Sequence, residues 1–589
     1  MNEKASLPQA HSGVDHSGID LSEASPLEAL GEKISKQLDP FGVLTSMMGA
    51  HMAWMMHPLE LGRVVSALSG DFLALQSHIA RRAIGLPSED VVLPYADDTR
   101  FSDPVWSESP TWDIIKEWYL AFSHRMQDMY FETPGMSGKE RRRSAFWLRK
   151  WLNAVSPSNF FWTNPVALRK FVETRGNSVM AGVRNFYRDA RAKNILTVDS
   201  DAFVVGKDLA TTPGKVIFRN RLLEIIHYEP TTEKTRAVPV LFVTPWINKF
   251  YILDLTSKKS LLKYLVDQGF SVFVTSWKNP TADMSALTFD DYLTEGVDTA
   301  VHVVLEYCAQ PKLHLVGYCI GGTLSTTYLA WSNRRFGVEK TPIADMTLFT
   351  TLTDFSHPGE VEVFIDQASV GALEESMEKK GYLDGNEMAS AFRLLRSNSL
   401  IWNYWVHSYL YGEPLAPFDV LFWNADSTRM PHAMHSYYLR EMYLNNNLIK
   451  HDQLTIAGET ISLHRIVQPV YAVTAVDDHI APWAQCYRIR KYLDVNAPLR
   501  FVLSTSGHIL GIVNPPVNPP KRAYWSGEPK PNERYSDWVK RTPKKSGSWW
   551  EEWKEWLKER GGEEIAARSV GTRKYPALAD APGTYVLEK

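Results

Sequence analysis

The sequence predicts an α/β fold: a mostly parallel sheet covered by helices, preceded by a mainly helical N-terminal region and interrupted by one long insertion. Three observations carry this. From about residue 201 onward, short apolar runs alternate with helical segments, as in sheets buried on both faces. From about 31 to 200, apolar residues recur at three- and four-residue spacing, the helical period. Between about 355 and 445 the alternation breaks into a long aromatic stretch. At 589 residues the chain is too long for one ordinary domain.

Taken in order, residues 1–30 are rich in Ser, Gly and acids with few large apolar groups, which predicts disorder. In the helical region, LTSMMGAHMAWMMHPLELGRVVSAL is rich in Met. It reads as a core or interface helix, with an adaptable surface for a partner as the sharper alternative. The basic run KERRRSAFWLRKWL reads as a solvated helix face with an apolar side, with phosphate or CoA binding as the alternative. VPVLFVTPW is a strand, KKSLLKYLVDQ a helix stopped by Gly269, and FSVFVTSW the next strand, since Gly favours a helix C-terminus. DDYLTEGVDTAVHVVLEYCAQ is a long helix, KLHLVGY a strand and GGTLSTTYLAW a helix. ADMTLFTTL, PVYAVTAV and LRFVLST are further strands. The insertion contains IWNYWVHSYLYG and FDVLFWNADSTRMPHAMHSYYL and should cap the strand ends. The tail carries GSWWEEWKEWLKERGG, an amphipathic helix.

Composition removes several function classes. Net charge is -3, so no global pull toward nucleic acid or acidic membranes is expected. The three cysteines, Cys308, Cys319 and Cys486, are scattered, which fits neither a disulfide framework nor zinc spacing. The first 30 residues lack a signal-peptide pattern, and no apolar run approaches the roughly 18 residues of a membrane span. A protein of a reducing compartment, without metal, is the expectation.

The strand KLHLVGY runs into Gly317-Tyr318-Cys319-Ile320-Gly321 and then a helix. This is the G-x-nucleophile-x-G turn of an α/β-hydrolase elbow, with Cys in place of Ser. The glycines let strand and helix pass closely, and the helix N-terminus favours a thiolate and an oxyanion. Cys308 and Cys486 lack this context and read as core. In this fold the acid and the base follow later strands. PVYAVTAV is followed by Asp477-Asp478-His479, and LRFVLST by Ser506-Gly507-His508. His508 is therefore the expected base, oriented by Asp478. Asp477 and Asp354 compete for the acid, and His479 is expected to hydrogen-bond locally. The oxyanion donors expected are the N–H of Ile320 and one from the loop after VLFVTP. Pro245 has no N–H, leaving Trp246 or Ile247, of which Ile247 is favoured. Residues 201–589 thus read as an α/β-hydrolase catalytic domain with a cap at about 355–445.

With these residues located, the chain resembles the poly(3-hydroxyalkanoate) synthases, in particular the single-subunit class I type, over about residues 100–585. RFSDPVWSESPTW, NAVSPSNFFWTNP, INKFYILDL, VTSWKNP, GYCIGGTL, FDVLFWNADSTRMP, DDHIAPW, SGHILGIVNPP and GSWWEEW carry the resemblance. It implies an acyltransferase that polymerises (R)-3-hydroxyacyl-CoA, with 3-hydroxybutyrate-like units, through an acyl-Cys319. It implies Asp478 rather than Asp477 as the acid, and His508 as the base. CoA is then a leaving group, and no other cofactor is implied. The family also implies a homodimer, an N-terminal domain that aids dimerisation and granule association, granule-associated proteins as partners, and a cytoplasmic location on polyester granules. Family members can carry a smaller residue where this chain has Trp246. A Cys-type esterase or intracellular depolymerase would use the same triad with water as acceptor. A granule scaffold on a retired hydrolase fold is the non-enzyme reading.

Overall fold

The computed structural model describes residues 39, 41–95, 98–192 and 195–589; the disorder expected for residues 1–30 lies outside them. Among the described residues, the helical region forms six helices of nine residues or more: Val43–Met55, Pro58–Ala83, Pro110–Phe131, Gly138–Ala154, Pro165–Glu173 and Asn177–Ala192. Their starts are written locally. Proline opens three of them, where its missing N–H costs nothing. Ser137 and Glu140 form a capping box, satisfying two orphan donors reciprocally.

The Met-rich segment fits its interface reading and not its core one, and the expectation for the basic run fails. The Met-rich helix does not bury its methionines: Met48, Met52, Met55 and Met56 are each more than half exposed, while Ala50, Ala53 and Trp54 face inward. The basic run is not a solvated face. Along Gly138–Ala154, Arg142 pairs with Glu362 at 3.1 Å, and Arg143 and Arg149 pair with Asp366 and Glu360. Lys139 donates to the Ile365 carbonyl at 2.9 Å. Beneath these pairs, Phe146 and Trp147 pack against Val363 and Leu395. The helix is the clasp between the N-terminal region and the insertion.

The region after about residue 201 is built on one 11-stranded sheet. Its strands are β1 Gly214–Arg219, β2 Leu223–Tyr228, β3 Val240–Val243, β4 Val272–Trp277, β5 Leu313–Tyr318 and β6 Ile343–Phe349. The remainder are β7 Val470–Ala475, β8 Leu499–Ser504, β9 Ala523–Gly527, β10 Lys544–Ser546 and β11 Ala579–Asp580. The spatial order is β10-β9-β8-β7-β6-β5-β3-β4-β2-β1-β11. The run β8-β7-β6-β5-β3-β4 is parallel throughout. Antiparallel strands flank it on both sides. The parallel core is what the apolar runs predicted, because strands such as β4 and β5 are buried at every position. The flanking antiparallel strands were not anticipated: β10 is exposed throughout, so it carries no apolar pattern to read.

Two details of the helices matter for the site. The segment read as one long helix from Asp290 contains a widened π-helical stretch, Tyr292–Asp298, before Thr299–Cys308. Gly296 in that stretch lies against Trp277, whose ring would meet a Cβ at 2.8 Å. The tail helix Trp549–Lys558 buries Trp549, Trp550, Trp553 and Trp556, so its apolar side is core. Gly269 ends the helix Leu261–Asp267 in the left-handed region. Among the described residues, no helix is long and apolar enough to cross a membrane.

Candidate active site

The site begins at the end of β5. Cys319 occupies the turn between β5 and the helix Ile320–Phe336, with φ 53° and ψ -122°. That conformation is strained for a residue with a Cβ and is held by its surroundings. Its N–H donates to the Phe349 carbonyl of β6 at 2.9 Å, and its carbonyl accepts from the N–H groups of Gly322 and Thr323. The turn is possible because strand and helix nearly touch. A Cβ on Gly321 would stand 2.4 Å from the Val243 carbonyl oxygen, and one on Gly322 would stand 1.9 Å from the Thr351 Oγ1.

The three cysteines differ as their contexts suggested. All are free, but Cys308 and Cys486 are buried and Cys319 is half-buried. Burial pushes the Cys308 thiol up to about 12 and the Cys486 thiol well above its ordinary range. Neither forms a thiolate readily.

Beyond β7 and β8, the loops bring the acid and the histidine together. His508 Nδ1 is 2.7 Å from Asp478 Oδ2. The other carboxylate oxygen, Oδ1, accepts the N–H groups of Ile480 and Ala481, each at 2.8 Å. Asp478 is thereby fixed and buried. Cys319 lies close enough to His508 for its sulfur to act on the imidazole. With Nδ1 committed to Asp478, Nε2 is the ring nitrogen left for the thiol. Burial alone would lower the His508 pKa; the Asp478 carboxylate and the Cys319 sulfur outweigh it and raise it to about 10. An imidazolium is thus favoured beside the sulfur.

The competing acids lie elsewhere. Asp477 is exposed. Asp354 is fully buried, but it accepts from Tyr492 at 2.6 Å, from the Ser356 N–H at 2.9 Å and from Asn446 at 2.9 Å. It also pairs with Arg488 at 2.7 Å, and so braces the insertion. The local hydrogen bond expected of His479 is not seen at Nδ1, which is buried without a partner. Burial, with Arg396 nearby, brings the His479 pKa down to about 4, so it stays neutral.

On the far side of the sulfur, Ile320 opens a helix, so its N–H is one of the four that a helix leaves unpaired. The loop after β3 is tied to the insertion. Thr428 Oγ1 donates to the Trp246 carbonyl and its N–H to the Ile247 carbonyl at 3.4 Å. The Trp246 indole fills space against Trp277 and Tyr292.

Four contributors were not anticipated. Tyr318, the x before Cys319, stacks on His508 with centroids 5.8 Å apart and donates to the His508 carbonyl at 3.4 Å. Tyr438 and Tyr443 of the insertion sit near Cys319. Burial above all pushes both phenols up, with the neighbouring Tyr443 and then the sulfur adding to it at Tyr438 and the sulfur at Tyr443. The tail helix grips the histidine loop: Trp549 and Trp550 donate to the carbonyls of Gly511 and Ile512 at 2.8 and 2.9 Å. Only the tail helix had a visible signal, the four tryptophans of GSWWEEWKEW on an amphipathic helix, and nothing in them names the partner carbonyls.

Comparison with known proteins agrees with this architecture. Residues 97–265 match the family described as poly-beta-hydroxybutyrate polymerase (PhaC) N-terminus, and residues 239–515 match the alpha/beta hydrolase fold. A poly(3-hydroxyalkanoate) polymerase of Methylorubrum extorquens is 41% identical over 544 residues, 91% of this chain and 88% of that one. Poly(3-hydroxyalkanoate) polymerase subunits PhaC of Rhizobium etli and Cupriavidus necator are each 37% identical. They cover 95% and 90% of this chain, and 88% and 89% of their own lengths. At that identity and coverage, on an α/β-hydrolase sheet with a cysteine at the elbow, the chain belongs to the poly(3-hydroxyalkanoate) polymerase family.

Proposed function

We propose that the protein polymerises (R)-3-hydroxyacyl-CoA, with short units such as 3-hydroxybutyrate, into polyester, and that Cys319 carries the acyl chain. The observation that supports this most directly is the chain of contacts Asp478–His508–Cys319 at a strained elbow, in a member of this family.

In this mechanism His508 already holds the proton given up by Cys319, so the pair starts as imidazolium and thiolate, and the thiolate attacks the carbonyl carbon of the CoA thioester. The oxyanion is held by the N–H groups of Ile320 and Ile247. The C–S bond to CoA breaks, and the CoA sulfur leaves with the proton from His508. The 3-hydroxyl of a further hydroxyacyl unit then gives its proton to His508 and attacks the acyl-Cys carbon. An ester forms, the bond to Cys319 Sγ breaks, and the thiolate is restored beside the imidazolium. One thioester is spent per ester made, so no metal or redox cofactor enters. Asp478 keeps the imidazole oriented and its charge balanced. Tyr438 and Tyr443, close to the sulfur, help to keep water away from the acyl-Cys; water would release a hydroxy acid and end the chain. By the same family reading, the protein works as a homodimer on cytoplasmic polyester granules. Its exposed Met face supports contact with an apolar surface.

The test is CoA release and polymer formation from (R)-3-hydroxybutyryl-CoA, comparing wild type with Cys319→Ala. The expected result is matched CoA and insoluble polyester from wild type and neither from the variant. Soluble hydroxy acid in place of polymer would make the protein a thioesterase or depolymerase.

A further inference from the structure

The loop that follows β3 is held from outside by one short stretch of the insertion. Trp423 Nε1 donates to the Lys249 carbonyl at 2.7 Å. Asn248 and Ser427 form an isolated antiparallel bridge. The Arg429 N–H donates to Asn279 Oδ1, beyond β4, at 2.9 Å. The anchor of the stretch is a buried ion pair, Lys249 with Asp426 at 2.8 Å. Asp426 also accepts from the Tyr251 hydroxyl at 3.0 Å and from Lys589 Nζ at 3.0 Å. Lys249 Nζ donates to the Glu588 carbonyl at 2.8 Å. Parting buried charges that are paired and hydrogen-bonded is costly, so the stretch is pinned in register on the loop.

Thr428 lies two residues after Asp426, and its contacts with the loop have a direction. Its hydroxyl donates to the Trp246 carbonyl at 2.5 Å, and its N–H to the Ile247 carbonyl at 3.4 Å. The Trp246 carbonyl and the Ile247 N–H belong to one peptide group, which is trans. In a planar trans peptide the C=O and the N–H point in opposite directions. A hydroxyl fixed on the Trp246 oxygen therefore fixes the line along which the Ile247 N–H points. The N–H of Trp246 lies in the neighbouring peptide and is not set by this contact. The buried Trp246 indole, packed on Trp277 and Tyr292, adds to the hold, because turning the peptide would disturb an aromatic cluster.

We propose that Thr428 is a positioning residue for acyl transfer. From the insertion it aims the Ile247 N–H at the oxyanion that forms on acylation of Cys319, and the Lys249–Asp426 pair keeps Thr428 in place. The insertion thus completes the oxyanion site as well as covering it. This rests on the reading of Ile247 as an oxyanion donor, and the experiment keeps it apart from the polymerase reading. Two reactions of Cys319 are compared in wild type, Thr428→Val, Thr428→Ser and Asp426→Asn. Alkylation by iodoacetamide, followed at Cys319 by mass spectrometry, displaces iodide from a saturated carbon and forms no oxyanion. Acylation by p-nitrophenyl acetate, followed as the nitrophenolate burst, passes through an oxyanion and needs no CoA.

Thr428→Val keeps the shape and the backbone contact but removes the hydroxyl from the Trp246 carbonyl. Losing an oxyanion donor costs about 10²–10³-fold in rate, so misaiming one should cost about tenfold or more. Acylation should therefore slow about tenfold in Thr428→Val while alkylation stays within about twofold, and Thr428→Ser should restore acylation. Asp426→Asn changes the charge at nearly constant volume and should show the same split to a smaller degree; it carries the test if Thr428→Val folds poorly. Both rates falling together would mean a general disturbance of the site and would overturn the proposal. So would acylation that does not slow, or that serine does not restore. A wild type that is alkylated but never acylated would remove the oxyanion reading and the proposal with it. A wild type that shows the split but makes no polyester would leave the proposal standing and overturn only the polymerase reading.

Discussion

The indole N–H of Trp549 donates to the carbonyl of Gly511, three residues beyond His508, at 2.8 Å. Trp550 does the same for Ile512, and Ser548 Oγ bonds the Asn514 carbonyl. The start of one helix thereby holds the loop that carries the candidate base. Trp549→Phe keeps the ring but leaves a buried carbonyl unpaired, at a cost of about 1–3 kcal/mol. The expected outcome is a lower urea midpoint and a reduced kcat with little change in KM, because the variant loosens the histidine rather than the substrate contacts. Steady-state kinetics beside urea unfolding checks this; a variant that matches wild type in kcat would remove the positioning role.

Asp478 acts on His508 through charge. The His508 pKa is raised to about 10, against burial that works the other way. A raised histidine pKa stabilises the fold fully below the unfolded value of about 6.5. That contribution disappears as pH rises through about 10. Asp478→Asn should drop the pKa, because burial then acts with less opposition. The stability gap between wild type and variant should be widest near pH 6.5 and shrink toward pH 10. Urea midpoints across that range, with the His508 imidazole followed by NMR, measure it; a gap that grows with pH contradicts the assignment.

Glycine at the elbow is a matter of contact distance. A Cβ on Gly321 would meet backbone oxygen at 2.4 Å, whereas one on Gly371, inside the helix Gln367–Lys380, would meet nothing within 4 Å. Gly321→Ala should destabilise by about 3 kcal/mol or more and abolish activity, since overpacking against backbone cannot be relieved by a rotamer. Gly371→Ala should stabilise by about 0.5–1 kcal/mol with activity intact. The pair of urea midpoints distinguishes a local clash from a general intolerance of substitution.

The clasp between the helix Gly138–Ala154 and the insertion mixes ion pairs with packing, and the two should not weigh equally. Arg142 is about two-fifths exposed where it meets Glu362, so Arg142→Ala should cost less than about 1 kcal/mol. Trp147 is buried in the cluster with Val363 and Leu395, so Trp147→Ala should cost about 3–5 kcal/mol. Limited proteolysis, read as the rate of cleavage between the helical region and the insertion, should follow the same order.

The parallel strands, the elbow and the two loops that end in Asp478 and His508 were legible because each is a local pattern. An apolar run of four to eight residues, a glycine-flanked cysteine and a polar residue just past a strand are all visible within a few positions. The edge strands were not legible, since β10 has no apolar side to announce it. Nor was the exposure of Met48, Met52 and Met56, because an apolar helix reads the same whether or not a neighbour covers it.

The sequence by itself determined which side chains can do the chemistry and roughly where along the sheet they stand. Only the tertiary structure showed which of them meet. It brought Asp478 to His508 while leaving Asp477 exposed and Asp354 occupied by Tyr492, Asn446 and Arg488. It also turned the arginines of a basic helix onto the acids of an insertion some 220 residues later in the chain. The physical reason is that propensity and periodicity act between near neighbours, whereas burial, ion pairing and the pKa of a histidine depend on groups that meet only when distant segments pack.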